Sequence, residues 1–232
     1  MSQVKSVPIK RLESGQVESV EDSVVVERPV SITVDGVLRV ETVCSPGELG
    51  EWVIGYLLSE GLIGDPEDVD EVTHDGDAYN VQCRSVTEVS LLQSVESDFT
   101  YVASRVLDAA AEVVSRATIF HETGGTHVMA IADQTGMRAL VEDISRTCAL
   151  EKAIGQAVLK GVEFGQALAL LSSRVPARMI RKLARCGVPI VAAVSAPTAD
   201  AVELAEELNI CLCGFVRGER LNVYSHGWRI GL

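Results

Sequence analysis

The chain has 232 residues, of which 47% are hydrophobic, and it carries a formal net charge of −13. This length allows one large domain or two small ones, and the apolar content excludes an intrinsically disordered chain. An acidic surface repels phosphate backbones, so we expect no nucleic-acid partner, although a local basic pocket is compatible with that charge. No stretch of about 18 apolar residues occurs, and residues 1–16 lack the apolar segment of a signal peptide. We therefore expect a cytoplasmic protein with no membrane association.

The first half of the chain predicts a small α+β part. Residues 1–20 are polar, and we expect them to be flexible. The apolar and polar residues alternate over 23–43 and the alternation breaks at Asp35-Gly36, which predicts a β-hairpin with a tight turn. A helix is predicted over 45–60, with a proline in its first turn and an apolar face. Two strands over 79–86 and 87–95 and a helix over 102–117 follow.

The second half predicts strands that alternate with helices. The predicted strands lie at 137–143, 166–173, 189–195 and 210–218, and the predicted helices at 147–161, 176–187 and 199–209. This order requires crossover connections and therefore a largely parallel sheet covered on both faces. We predict an α/β protein, with a flexible N-terminus over 1–20, an α+β part over 21–115 and an α/β domain over 116–232.

Polar residues follow the predicted strands, where open α/β sheets bind their ligands. Helix N-termini at that edge offer free backbone N–H groups to an anion. The polar clusters there are Glu142-Asp143 with Arg146, Ser172-Ser173-Arg174, and Ser195 with Thr198. A Gly-Gly turn, Thr123-Gly124-Gly125, and His127 precede them. Together these residues predict a site for a phosphorylated or nucleotide-like ligand.

Each of these residues also has a purely structural interpretation. The Gly-Gly stretch can be a tight turn, His127 a hydrogen-bonded imidazole, and the two acids caps of the following helix. The two arginines can pair with those acids instead of a phosphate. Ser195 and Thr198 can simply form the turn before a helix.

Six cysteines are scattered along the chain without a CxxC pair, so no zinc site and no disulfide are predicted. They are Cys44, Cys83, Cys148, Cys186, Cys211 and Cys213. Cys148 falls near the first turn of a predicted helix, where the helix dipole lowers the pKa of a thiol. Its alternative is a buried, inert thiol. Cys211 and Cys213 lie in an apolar run and are expected to be buried strand residues.

Six motifs occur in an order and spacing that resemble the FdhD family, the accessory sulfurtransferases of formate dehydrogenase. The resemblance extends from Glu27 to Ile230. The motifs are SPGELGEWVIGYLLSEGLI, TGGTH, EDISRTCALEKAIG, SSRVPARMIRK, SAPT and GFVRGERLNVY.

The resemblance implies a cytidine deaminase-like C-terminal domain with α/β/α layers and a homodimer. It implies that sulfur passes from a cysteine desulfurase to a molybdenum or tungsten bis-guanine-dinucleotide cofactor, for a formate dehydrogenase catalytic subunit. A GDP-like part of that cofactor is then expected at the carboxyl edge. The residues expected to bind it are Thr123, Gly124, Gly125, His127, Glu142, Asp143, Arg146, Ser173, Arg174, Ser195 and Thr198.

The chain departs from the family pattern at positions that carry chemistry. The family's CGxCG-like sulfur-carrier loop is expected shortly before TGG, but the corresponding residues 90–106 contain no cysteine. Ser145, Thr147 and Cys148 stand where the family commonly has Gly, His and Asn. Ser173 stands in place of the glycine of an SGR motif.

Two functional hypotheses follow from the sequence. The first is a sulfurtransferase that uses Cys83 or Cys148 as an unusual persulfide carrier. The second is a module that binds the cofactor without moving sulfur, and the missing loop and the lack of a paired arrangement of thiols favour it. Zinc-dependent base deamination is excluded, because it needs H-x-E with P-C-x-x-C, whereas His121-Glu122 are adjacent.

Overall fold

The computed structural model describes residues 2–84, 86 and 92–232, in which twelve strands form three sheets. The strands are β1 (Val4–Glu13), β2 (Gln16–Val25), β3 (Arg28–Val34), β4 (Val37–Cys44), β5 (Val69–Asp75), β6 (Ala78–Cys83), β7 (His127–Asp133), β8 (Gly136–Asp143), β9 (Ala167–Leu171), β10 (Ile190–Ala193), β11 (Cys211–Arg217) and β12 (Arg220–Ser225). The α-helices are α1 (Leu49–Glu60), α2 (Ala103–Ser115), α3 (Thr118–Thr123), α4 (Arg146–Leu159), α5 (Ala177–Arg185) and α6 (Ala199–Glu207). Short 3-10 helices occupy Pro66–Asp68, Phe164–Gln166 and Gly227–Ile230.

The N-terminal residues form an ordered hairpin, which corrects the prediction of a flexible segment over 1–20. Strands β1 and β2 pair antiparallel in an unbroken register from Val4↔Val25 to Glu13↔Gln16. The turn between them places Ser14 and Gly15 at φ 52° and 82°, a left-handed geometry that glycine adopts readily. Charged residues obscure the alternation of side chains that is typical of β-strands. The polar composition therefore led to the wrong prediction of a flexible segment.

A second sheet follows in the order β4-β3-β6-β5. Its first hairpin turns at Asp35-Gly36, whose φ values of 48° and 79° are those of a type I′ turn. The hairpin predicted over 23–43 is therefore confirmed at β3 and β4. The strand predicted over 87–95 falls mostly on residues outside the described ones.

The six strands of the second half form one sheet in the order β12-β11-β10-β9-β7-β8. All four strands predicted there lie in it, so the α/β class is confirmed. Only β9, β10 and β11 run parallel, which corrects the largely parallel prediction. The reason is that β7 and β8 form a hairpin, and β12 returns antiparallel along β11.

Apolar side chains alternate along the central strands and serve two cores, one on each face of the sheet. On one face Met129 and Ala169 join the core that contains α1, α4, α5 and α6. On the other face Ala130 and Leu168 join the core that contains α2. The helix predicted over 102–117 ends at Ser115, and the separate helix α3 begins three residues later, at Thr118. No helix in the described ranges is long and apolar enough to cross a membrane.

The N-terminal sheet is joined to the large sheet by a close crossing of α1 and α4. A Cβ atom at Gly55 would lie 1.7 Å from the carbonyl oxygen of Glu151, and one at Gly155 would lie 1.9 Å from that of Glu51. Only glycine allows the two backbones to approach so closely. The indole N–H of Trp52 on α1 donates to the Glu151 carboxylate at 2.8 Å across the same crossing.

We predict that Gly55→Ala and Gly155→Ala each lower the free energy of unfolding by about 3 kcal/mol or more, because the added methyl meets backbone that cannot move aside. The matched control is Gly50→Ala, in the first turn of α1, where a Cβ meets nothing within 4 Å. That change should raise the free energy of unfolding by about 0.5 kcal/mol. Denaturant unfolding followed by circular dichroism measures all three, and equal effects at positions 50 and 155 would contradict the crossing.

Candidate functional site

The candidate site lies at one edge of the six-stranded sheet, called here the carboxyl edge. Strands β9 and β10 end there at Leu171 and Ala193. Because β7 runs antiparallel to β9 and β8 antiparallel to β7, His127 and Asp143 lie opposite each other at the same edge. The predicted polar clusters are therefore brought to one side of the sheet, as the sequence order indicated.

A cavity of about 410 Å³ opens at the carboxyl edge, between the sheet and the helices α2 and α3. Its lining is mostly apolar, with the Gly-Gly turn, His127 and Ser172 on its polar side. The lining residues are Val113, Val114, Ala117, Phe120, Gly124, Gly125, Thr126, His127, Val128, Ser172 and Val194. Three of the predicted ligand residues, Gly124, Gly125 and His127, thus line the same cavity.

A larger cavity of about 630 Å³ lies elsewhere in the molecule. Gly61 after α1 and Gly187 shortly before β10 line it. It contains none of the predicted site residues, so the smaller cavity is the better candidate despite its size.

Glu142 holds the helix α3 that forms one wall of the cavity. Its carboxylate accepts hydrogen bonds from the backbone N–H groups of Ile119 at 2.9 Å and Phe120 at 2.7 Å, and from the Thr126 hydroxyl at 2.9 Å. These backbone groups are the unsatisfied donors at the start of α3. Glu142 therefore caps the preceding short helix and not the following one, and its role is to position the wall.

The TGG stretch forms the end of α3. The Thr123 hydroxyl donates to the Ile119 carbonyl at 2.7 Å and accepts from the Gly125 N–H at 3.1 Å. Gly124 takes the left-handed conformation, φ 67°, that ends a helix. The stretch therefore forms the turn that ends α3, and Thr123 is occupied by local hydrogen bonds.

Asp143 is completely buried and forms an ion pair with Lys152 at 2.6 Å. It also accepts from the backbone N–H groups of Ser45 at 3.1 Å and Ser145 at 2.7 Å. The Lys152 ammonium donates in addition to the Ser45 carbonyl at 2.8 Å. Asp143 is therefore a structural anchor between the two halves of the chain, and its carboxylate is already occupied by these contacts.

His127 and Arg146 lie near each other at the rim. Burial lowers the pKa of His127 below its ordinary value of 6.5, and the nearby Arg146 guanidinium lowers it further, while Asp143 opposes the shift. No ion pair among the described residues involves Arg146 or Arg174. The predicted pairing of these arginines with Glu142 and Asp143 is therefore not formed.

The remaining predicted serine and threonine residues make hydrogen bonds with nearby backbone groups. Ser173 donates to the Arg174 carbonyl at 2.9 Å, and Thr198 accepts from the Ala201 N–H at 3.3 Å as the N-cap of α6. The Ser195 carbonyl accepts from the Phe215 N–H at 3.1 Å. Of these residues only Arg174, whose side chain is exposed, has its charge available to a ligand.

Three further arginines lie at the carboxyl edge and were not predicted from the sequence. Arg178 lies in the first turn of α5, and Arg217 and Arg220 flank the turn between β11 and β12. All three are exposed and make no ion pair among the described residues. Their position in the PARMIRK and GFVRGER motifs was the sequence signal that could have identified them. In the structure they differ from several other arginines of this acidic chain, which have acidic partners.

Two cysteines that are far apart in sequence are brought near each other, which corrects the expectation that no thiol pair exists. Cys44 ends β4 and Cys148 lies in the first turn of α4, and each thiol shifts the pKa of the other. The Cys148 thiol and burial raise the pKa of Cys44. The Cys44 thiol lowers the pKa of Cys148, with help from the Ser145 hydroxyl, while burial opposes the shift. Both thiols are buried.

The other thiols are poorer nucleophiles. Cys83 is partly exposed, but burial and the nearby Asp35 raise its pKa. Burial raises the pKa of Cys186 to about 12. Cys211 and Cys213 are buried in β11, as predicted, with their sulfur atoms 3.8 Å apart. Cys148 is therefore the thiol that the local electrostatics favour as a thiolate.

Comparisons with known proteins cover nearly the whole chain. The FdhD/NarQ family model matches residues 25–92 and 82–231. Relatives named sulfur carrier protein FdhD include one from Methanothermobacter thermautotrophicus, 32% identical over 91% of this chain and 92% of the relative. Others come from Listeria innocua (30%, 99% of this chain, 100% of the relative) and Bacillus subtilis (32%, 95% of each).

A solved structure has the same fold. It is that of a putative formate dehydrogenase accessory protein from Desulfotalea psychrophila, with a TM-score of 0.88, 20% identity, and coverage of 99% of this chain and 100% of that one. The two family-model segments overlap at residues 82–92, at the start of the stretch 90–106 that contains no cysteine. Because the model and the relatives span both halves of the chain, the protein belongs to the FdhD/NarQ family.

Proposed function

We propose that the protein is a sulfur carrier that matures a formate dehydrogenase-type enzyme by sulfurating its molybdenum or tungsten bis-guanine-dinucleotide cofactor, which is its substrate. The names of its relatives and of the solved structure support an accessory role of this kind. The single observation that carries the ligand assignment is a set of arginines that make no ion pair among the described residues and that lie at the edge of the sheet where a mostly apolar cavity opens. The proposed partners are a cysteine desulfurase, the formate dehydrogenase catalytic subunit and a second copy of this chain.

The cavity and the arginines fit the two parts of a guanine nucleotide. Apolar walls with few polar groups suit a planar base, and Phe120 offers an aromatic ring for stacking. Arg146 and Arg174 can each present a bidentate fork to phosphate oxygens, which lysine cannot reproduce. In a chain of net charge −13, exposed arginines without acidic partners attract an anion to this edge.

We assign the sulfur-carrying role to Cys148. Its thiolate would attack the outer sulfur of a desulfurase persulfide, the S–S bond would break, and the desulfurase would leave as a thiolate while Cys148 holds the persulfide. The lowered pKa of Cys148 and its place two residues after Arg146 support this choice over Cys83. Because Cys148 is buried, the start of α4 must open locally for the exchange.

The ligand assignment predicts that Arg146→Ala and Arg174→Ala each weaken GDP binding by about 10- to 100-fold, since a charge-assisted hydrogen bond contributes about 1.5 to 3 kcal/mol. Isothermal titration calorimetry measures the affinity. Arg116→Ala is the matched control, because Arg116 is exposed and paired with Glu112 on α2. If both Arg146→Ala and Arg174→Ala bound GDP with wild-type affinity, the proposed nucleotide site would be ruled out.

The charge of Arg146 near His127 predicts a pH effect. His127 should titrate below 6.5 in the wild type, and its pKa should rise towards that value in Arg146→Ala, because the opposing positive charge is gone. Since folding lowers this pKa, the contribution of neutral His127 to stability is present above about pH 6.5 and is lost as the pH falls below it. NMR titration of the imidazole protons checks this, with Arg116→Ala expected to leave the pKa unchanged. A His127 pKa that is the same in the wild type and in Arg146→Ala would contradict this prediction.

The sulfur assignment predicts that persulfide formed on the wild type after treatment with a cysteine desulfurase is lost in Cys148→Ser and kept in Cys83→Ser. Mass spectrometry of alkylation-protected protein locates the added sulfur. Loading that disappears only in Cys83→Ser would contradict the electrostatic argument. No loading on the wild type would instead favour a module that holds the cofactor without moving sulfur.

A further inference from the structure

The end of β4 lies against the first two turns of α4. The Ser45 hydroxyl accepts a hydrogen bond from the Ile144 N–H at 3.2 Å, and the Ser45 carbonyl accepts one from the Lys152 ammonium at 2.8 Å. Cys148 and Lys152 are four residues apart on α4, so their side chains lie on the same face of the helix. Cys148 therefore lies between the two places at which Ser45 contacts this segment, and Cys44 directly precedes Ser45 in the chain.

The thiols of Cys44 and Cys148 lie in the same hydrophobic core, where the two residues are 0% and 2% exposed. The strongest influence on the pKa of each thiol is the other thiol. The charges of Lys152 and Asp143, which form an ion pair at 2.6 Å, also act on the pKa of Cys44, in opposite directions. The two thiols and this ion pair thus form one cluster that is shielded from water.

The two thiols of this cluster are chemically unequal. The Cys44 thiol lowers the pKa of Cys148, whereas the Cys148 thiol and burial raise the pKa of Cys44. Cys148 is therefore the thiol that ionises first and attacks a persulfide brought by another protein. Cys44 keeps its proton at neutral pH, so it remains available as a second thiol beside any sulfur atom that Cys148 has taken up.

We propose that Cys44 is the resolving thiol of the sulfur carrier, which attacks the inner sulfur of the Cys148 persulfide and releases the outer sulfur as hydrosulfide. A disulfide bond forms between Cys44 and Cys148 while the S–S bond of the persulfide breaks, and the Cys44 proton leaves with the outer sulfur. The outer sulfur is reduced and the two cysteine sulfurs are oxidised, so the step needs no further oxidant. A dithiol reductant then restores both thiols for the next cycle. This assignment rests on the proposed role of Cys148 as the carrier.

The surroundings of the two thiols suit such a release. The Lys152 charge lowers the pKa of Cys44 against the larger effects of Cys148 and burial, so it favours negative charge at this position, including that of the departing hydrosulfide. Burial keeps the thiols of other molecules away from the persulfide, so Cys44 is the first thiol to reach it. Hydrosulfide is also an anion that the metal ion of the proposed substrate can bind directly as a soft sulfur ligand.

The test follows the sulfur under argon, so that oxygen cannot make the disulfide. Inorganic polysulfide loads the thiols, desalting removes the excess, and samples quenched by alkylation at successive times are mapped by peptide mass spectrometry. The wild type should show persulfide on Cys148 first and a Cys44–Cys148 disulfide later, with about one hydrosulfide released for each persulfide lost. Untreated wild type kept under argon should retain both thiols.

The variants Cys44→Ser and Cys44→Ala should keep the persulfide on Cys148 and release hydrosulfide roughly 100-fold more slowly, because a thiol within the molecule attacks far faster than one from another molecule. The matched control is Cys186→Ser, which removes a thiol with a pKa of about 12 at the end of α5 and should behave as the wild type. Circular dichroism melts show whether the variants fold, and the mapping of the wild type depends on none of them.

A persulfide that stays on Cys148 of the wild type, or one that both Cys44 variants release at the wild-type rate, overturns the resolving role and leaves the proposed function standing. A wild type that forms the Cys44–Cys148 disulfide after polysulfide treatment but takes no sulfur from a cysteine desulfurase would leave the resolving role standing and contradict the proposed function. Neither persulfide nor disulfide at Cys148 after polysulfide treatment would overturn both.

Discussion

The structure depends on the backbone contact between α1 and α4 at Gly55 and Gly155. This contact fixes the N-terminal sheet to the large sheet, and buried polar groups surround it. Glu151 receives the Trp52 indole N–H and pairs with Lys182 of α5 at 2.8 Å, so three helices are tied together without an unpaired charge. Because α4 begins at the carboxyl edge, a fixed α4 also fixes Arg146 and Cys148.

The adjacent acids Glu142 and Asp143 contact elements on opposite faces of the large sheet. Successive residues of a strand point to opposite faces, so Glu142 reaches α3 while Asp143 reaches Ser45 and Lys152. One strand end thereby holds both the wall of the cavity and the N-terminal half of the chain. Both carboxylates are occupied by these structural contacts. The arginines are therefore the charged groups that are free to bind a ligand.

Local patterns in the sequence predicted the parts of the fold that local physics decides. The Asp35-Gly36 turn and the strand–helix order of the second half follow from backbone preference and apolar periodicity. The thiol pair of Cys44 and Cys148 could not be predicted, because it forms only when β4 meets the start of α4. The capping of α3 by Glu142 was likewise hidden, since the acid follows the helix in sequence, and no local pattern joins the two.

The close helix crossing also has a consequence for synthesis of the chain. Contacts between residues distant in sequence form late, because a long loop must close first. During translation, the face of α1 that carries Trp52 leaves the ribosome well before α4, whose residues cover it. The nascent first half therefore presents an apolar helix face and an uncovered sheet for the time needed to make about a hundred further residues, which takes roughly 5 to 20 seconds at ordinary elongation rates. Apolar surface that is exposed during such an interval favours aggregation, so the α1–α4 crossing makes the unfinished chain more vulnerable than the finished fold.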